Sequence, residues 1–78
     1  MNPRPISVSP LPDYNLLVTF QTGEQRVFNV KPLLQLPMYQ PLENPGLFKL
    51  VKTDGSCVYW NDDIDLCPDM TYLQSRKV

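Results

Sequence analysis

A chain of 78 residues, 42% hydrophobic and carrying a formal net charge of −1, has room for one domain (1–78) with a modest core, and is too apolar for wholesale disorder. The absence of histidine removes the commonest general base and a principal zinc ligand, and seven scattered basic residues offer little phosphate neutralisation, so no direct nucleic acid binding is expected. No apolar run approaches the roughly 20 residues needed to cross a bilayer, and the start lacks a signal-peptide core, so the expectation is a soluble, cytoplasmic chain with no membrane contact.

Pro3 to Pro12 holds four of the nine prolines, which forbids helix and limits ladder donors; an extended edge strand is the most it supports. Leu16-Leu17-Val18-Thr19-Phe20 is a strand, with Leu16, Val18 and Phe20 on one face. Gln21 to Glu24 turns the chain at Gly23, and Gln25 to Val30 returns antiparallel. A two-residue turn at Thr22-Gly23 sets Val18 opposite Val27 and Leu17 opposite Phe28, with apolar pairs on both faces.

Between Lys31 and Leu50 the apolar spacing is nearer helical than alternating, and prolines at 32, 37, 41 and 45 limit each piece to a turn or two. Two or three helical turns laid over the sheet are predicted. Phe48 to Lys52 reads as a third strand, Asp54-Gly55 as a turn, and Ser56 to Trp60 as the returning strand. Pro68 to Ser75 can form a last short helix with Pro68 at its first position, and Arg76-Lys77 lie on a tail expected to fray. The fold class is therefore α+β: a small antiparallel sheet of two hairpins, a proline-broken helical insert and a short C-terminal helix.

Asp62, Asp63 and Asp65, near Asn61 and Trp60, supply oxygen ligands of the kind calcium or magnesium accepts. The stretch lacks the glycine and glutamate of a calcium loop, and a turn in which Asn and Asp bond their own backbone explains it as well. It is retained as an alternative acidic site, 61–65, for a metal ion or small molecule in a regulatory domain. The aromatics at strand ends read as core. Cys57 and Cys67 lack a histidine partner and read as reduced, partly buried thiols, although a strand and the turn after it can bring the two close. No phosphate-cradling glycine loop is present. Nothing assembles an active site, so no enzyme, cofactor or resident metal is expected.

The order Tyr14-x-Leu16-x-Val18-x-Phe20-x-x-Gly23-Glu24-x-Arg26-x-Phe28-x-Val30, then Leu42, Phe48, Asp54-Gly55, Trp60, Ile64-Asp65-Leu66 and Tyr72-Leu73, resembles the domain-of-unknown-function 2442 family of small bacterial proteins. The likeness runs from about Ile6 to Leu73; Asn29-Val30-Lys31 departs from the aspartate usual after the second strand. It implies a small α+β fold with no established activity. Some such proteins carry a helix-turn-helix domain after this one. Many stand alone beside another small protein, in arrangements like toxin–antitoxin pairs. A chain stopping at Val78 leaves no room for that appendage, so the expected role is a protein-interaction module, with the antitoxin-like member of a pair as one form of it. Its expected partner is another small protein, and a homodimer is compatible with the size. Leu34, Met38, Tyr39 and Leu47 of the insert are the candidate contacts.

Overall fold

The computed structural model describes residues 2–61 and 63–78. Two antiparallel sheets share one core. Strands Pro5–Leu11 (β1), Asn15–Phe20 (β2), Gln25–Asn29 (β3) and Arg76–Lys77 (β7) make the first, in that order, and Lys52–Thr53 (β4), Val58–Asn61 (β5) and Ile64–Leu66 (β6) the second. β1 (Pro5–Leu11) lies at one edge of the first sheet, as its prolines require, and pairs with β2 (Asn15–Phe20). Alternation along β2 buries Leu16, Val18 and Phe20 completely.

The first hairpin differs from its predicted register by one residue. β3 (Gln25–Asn29) sets Leu17 opposite Val27 and Leu16 opposite Phe28. The turn is longer than expected: the Phe20 amide donates to the Glu24 carbonyl at 2.9 Å, closing a three-residue loop of Gln21, Thr22 and Gly23. Gly23 ends it at φ +87°, the left-handed position of a bulged hairpin. Because side chains alternate, this register joins Phe28 to Leu16 on the buried face and leaves Leu17 and Val27 half-buried behind it.

The proline-broken insert is as expected: 3-10 turns at Lys31–Gln35 and Pro37–Glu43, then α1 (Pro45–Phe48). The predicted third strand is not. Asn44 caps α1, its Oδ1 accepting from the Gly46 amide at 2.9 Å, and Pro45 supplies helical φ at the first position. Helix therefore runs through Phe48, and the strand shrinks to β4 (Lys52–Thr53).

β5 (Val58–Asn61) returns as expected, and Ile64–Leu66 forms β6 where only an acidic turn was anticipated. α2 (Pro68–Leu73) begins on its proline. Arg76–Lys77 do not fray but pair with Val27 and Arg26 as β7. The Arg26 guanidinium lies 4.1 Å from the Tyr72 ring centroid and donates to the Ser75 carbonyl at 3.2 Å, drawing the chain end onto β3. Inner faces of both sheets meet through Leu16, Phe20 and Phe28 against Val58, Trp60 and Leu66, and Leu42 of the insert is fully enclosed. No helix among the described residues is long and apolar enough to cross a membrane.

Candidate interaction groove

The corner between β1 and β2 turns in an unusual way. Pro12–Tyr14 form a single 3-10 turn in which Asp13 (φ 62°, ψ 33°) and Tyr14 (φ 62°) both occupy left-handed backbone space without being glycine. Such conformations cost on the order of 1–2 kcal/mol each and persist only where surrounding contacts enforce them. Those contacts are specific. The Asn15 side-chain amide donates to the Pro12 carbonyl at 3.1 Å, and the Val30 amide donates to the Tyr14 carbonyl at 2.9 Å. The Tyr14 hydroxyl donates to the Glu43 carbonyl, and its ring meets Phe48 edge-on with centroids 5.2 Å apart.

Phe48 is anchored in turn from beneath. Trp60, 3% exposed, donates its indole N–H to the Phe48 carbonyl at 3.0 Å. The strained corner and α1 thus face each other across a concavity of about 490 Å³. Pro10, Leu11 and Pro12 form one wall, Pro45 the other, and Tyr14 and Phe48 line it between them. Asp13 and Lys49, both exposed, give it one charge of each sign. Apolar walls with a few polar groups suit the capture of a short apolar segment, with the charges selecting its flanks.

A second concavity, about 350 Å³, lies on the outer face of the smaller sheet, against Asp54, Tyr59 and Asp65. Asp54 is committed to its own turn: Oδ1 accepts from the Cys57 and Ser56 amides at 3.0 and 2.9 Å. Those two bonds hold its carboxyl below the usual value. The Tyr39 hydroxyl donates to the Asp65 carbonyl at 3.0 Å, and burial, followed by the nearby Asp65 charge, raises its pKa.

The sequence-selected residues fall as follows. Leu34 and Leu47 are half-buried against the core, Tyr39 is buried, and Met38 is 46% exposed. Of the acidic stretch, Asp63 and Asp65 are exposed, while Trp60 points into the core. Asp62 lies outside the described residues. Asn61 Oδ1 accepts from the Asp63 and Ile64 amides at 2.9 and 3.0 Å, which makes the turn self-bonded. Among the described residues, no cluster of three or more metal-ligating side chains occurs. Sequence reasoning missed the groove, whose walls come from separate segments. The one available signal was Asn44-Pro45, a cap followed by a first-position proline.

Comparison with known proteins places the chain. The family described as Protein of unknown function (DUF2442) matches residues 5–76, and the chain belongs to it. No curated protein matches. A crystal structure from Nitrosomonas europaea, of a protein provisionally named as DNA-binding, is similar at 29% identity and a TM-score of 0.84. The match covers 96% of this chain and 50% of that one, so the present chain spans about half the length of its neighbour. That neighbour overturns the expectation of no direct nucleic acid binding. That expectation treated the basic residues as scattered and the tail as frayed, whereas Arg76 and Lys77 are held side by side on β7. Neither comparison points to an enzymatic activity.

Proposed function

We propose, starting from that family membership, that this domain is a protein-interaction module that seats an apolar segment of a partner protein in the groove between Pro12 and Pro45. The observation that supports it is the pair of left-handed residues, Asp13 and Tyr14, held beside an open apolar concavity. A backbone conformation this costly, in a domain with a thin margin of stability, is accounted for by the surface it shapes. The insert adds a second accessible apolar feature in Met38 and Leu36, 46% and 49% exposed, while Tyr39 is buried in the core and Leu34 and Leu47 pack against it. Pairing with a co-encoded protein, as an antitoxin-like member, is one setting such a module suits.

The test is affinity capture from the host with the wild-type chain, Leu11→Asp, and Leu73→Asp as a distant exposed control. A stoichiometric partner lost with Leu11→Asp and kept with Leu73→Asp is expected. Equal retention by both variants removes the groove reading.

A second reading, contact with nucleic acid, is favoured by the similarity to the provisionally named DNA-binding protein. Arg76 and Lys77, adjacent and exposed on β7, are the local basic feature available to it. Duplex DNA titrated at low salt distinguishes it: affinity should fall with salt and with Arg76→Ala/Lys77→Ala. Salt-independent or absent binding rejects it.

A further inference from the structure

The two cysteines of the chain are placed as a pair by the register of the smaller sheet. β5 and β6 pair Tyr59 with Asp65 and Val58 with Leu66. The paired strands end at Val58 and Leu66, and the same register continued by one step would set Cys57 opposite Cys67. Both are free thiols, Cys57 half-buried and Cys67 exposed. They lie on the outer face, because Val58 and Leu66, their immediate neighbours, point into the core.

Backbone hydrogen bonding shows which kind of opposed pair this is. The Cys57 amide donates to Asp54 Oδ1 at 3.0 Å, and its carbonyl accepts from Thr53 Oγ1 at 2.7 Å. Both partners lie on the β4 side, so the polar groups of Cys57 face away from β6. The Cys67 carbonyl is likewise taken, by the Thr71 amide at 2.9 Å and the Thr71 hydroxyl at 2.8 Å. On the continued register Cys57 and Cys67 would therefore stand as a non-hydrogen-bonded pair, the kind of site where antiparallel strands bring Cα atoms to about 4.5 Å and side chains closest. That separation falls within the Cα range a disulfide accepts, about 4.4–6.8 Å.

We propose that Cys57 and Cys67 are a thiol–disulfide switch, oxidised by a low-molecular-weight disulfide. The exposed Cys67 thiolate attacks the small disulfide, forming a mixed disulfide and releasing one small thiolate. The Cys57 thiolate then attacks the Cys67 sulfur and releases the second. Two electrons pass from the protein dithiol to the small disulfide, which leaves as two thiols carrying the two protons. The bridge ties the residue before β5 to the residue preceding Pro68, so oxidation clamps the entry to α2.

The full chain is equilibrated with mixtures of oxidised and reduced glutathione, quenched with acid, alkylated and weighed intact. The expected product is a monomer lighter by two hydrogens, resistant to alkylation and formed in the same proportion at all protein concentrations. Its formation should be favoured at least ~10-fold over the urea-unfolded chain, because the sheet holds the thiols at high effective concentration. Cys57→Ser and Cys67→Ser should each stop at a single glutathione adduct. Adducts without a bridge in the wild type, covalent dimers, or equal bridging in urea would overturn the proposal.

Discussion

Replacing Trp60 by phenylalanine removes the indole N–H that reaches the Phe48 carbonyl at 3.0 Å, and so tests whether the core anchors α1. Two effects add. A lost hydrogen bond that leaves a carbonyl unpaired costs about 1–3 kcal/mol. The Val51 amide also approaches this carbonyl, at 3.4 Å, which favours the lower half of that range. Trp60 is 3% exposed, so the smaller ring also gives up roughly 40 Å² of buried apolar surface, about 1 kcal/mol. Together these predict a loss of about 2–3 kcal/mol. A domain of this length holds on the order of 4–12 kcal/mol, so the variant still folds. Its melting temperature should fall by roughly 10–20 °C. Urea unfolding followed by far-ultraviolet circular dichroism gives the free energy without relying on the lost fluorophore. An unchanged slope with a lower midpoint is expected. A loss below about 0.5 kcal/mol would refute the view that the indole anchors the helix.

Acid should loosen the C-terminal segment. The Tyr72 hydroxyl, followed by the Arg26 guanidinium, holds the Glu24 carboxyl below its ordinary value, so its contribution is present above that value and lost as pH falls through the folded one. Amide protection factors in β7, corrected for the intrinsic rate at each pH, should fall in that window, and Glu24→Gln should remove this pH dependence. Gly55→Ala places a side chain at φ +88° with nothing within 4 Å, so only backbone strain acts, and urea titration should show a loss of about 1–2 kcal/mol. Asp13→Gly relieves strain but frees the unfolded chain, leaving stability within a few tenths of a kcal/mol, whereas Asp13→Val should cost more than about 1 kcal/mol by the same assay.

What could be read from the sequence was what local chemistry decides. Leu16, Val18 and Phe20 alternate, and the prolines of the insert limit each helical piece to a turn or two, so β2 and the broken insert stand where expected. The hairpin register slipped because Thr22-Gly23 fits both a two-residue turn and the end of a three-residue loop. β6 was hidden by its aspartates: Ile64 and Leu66 are buried while Asp65 faces out, an alternation too short to stand against the acidic composition around it. β7 has no strand signal of its own; it forms because Arg26 and Tyr72, distant in sequence, gather the chain end. The groove was illegible for the same reason, since Leu11 and Phe48 meet only in three dimensions, and no glycine marks the left-handed corner.

That corner also explains why the two sheets present unlike outer surfaces. Leu16, Val18, Phe20 and Phe28 of the larger sheet and Val58, Trp60, Ile64 and Leu66 of the smaller are committed to one shared core, and none of them covers the corner where β1 leaves its sheet. The Tyr14 ring turns inward onto Phe48 and its hydroxyl reaches Glu43, and each contact requires the left-handed backbone that precedes Asn15. Relaxing Tyr14 to ordinary extended geometry would swing the ring away from α1 and remove one side of the groove. The strain and the concavity are thus two aspects of one arrangement. A substitution such as Tyr14→Gly, which accepts the backbone but deletes the ring, separates them: the corner should persist by nuclear magnetic resonance shifts while partner capture is lost. Undiminished capture by that variant would show that the ring serves the core alone.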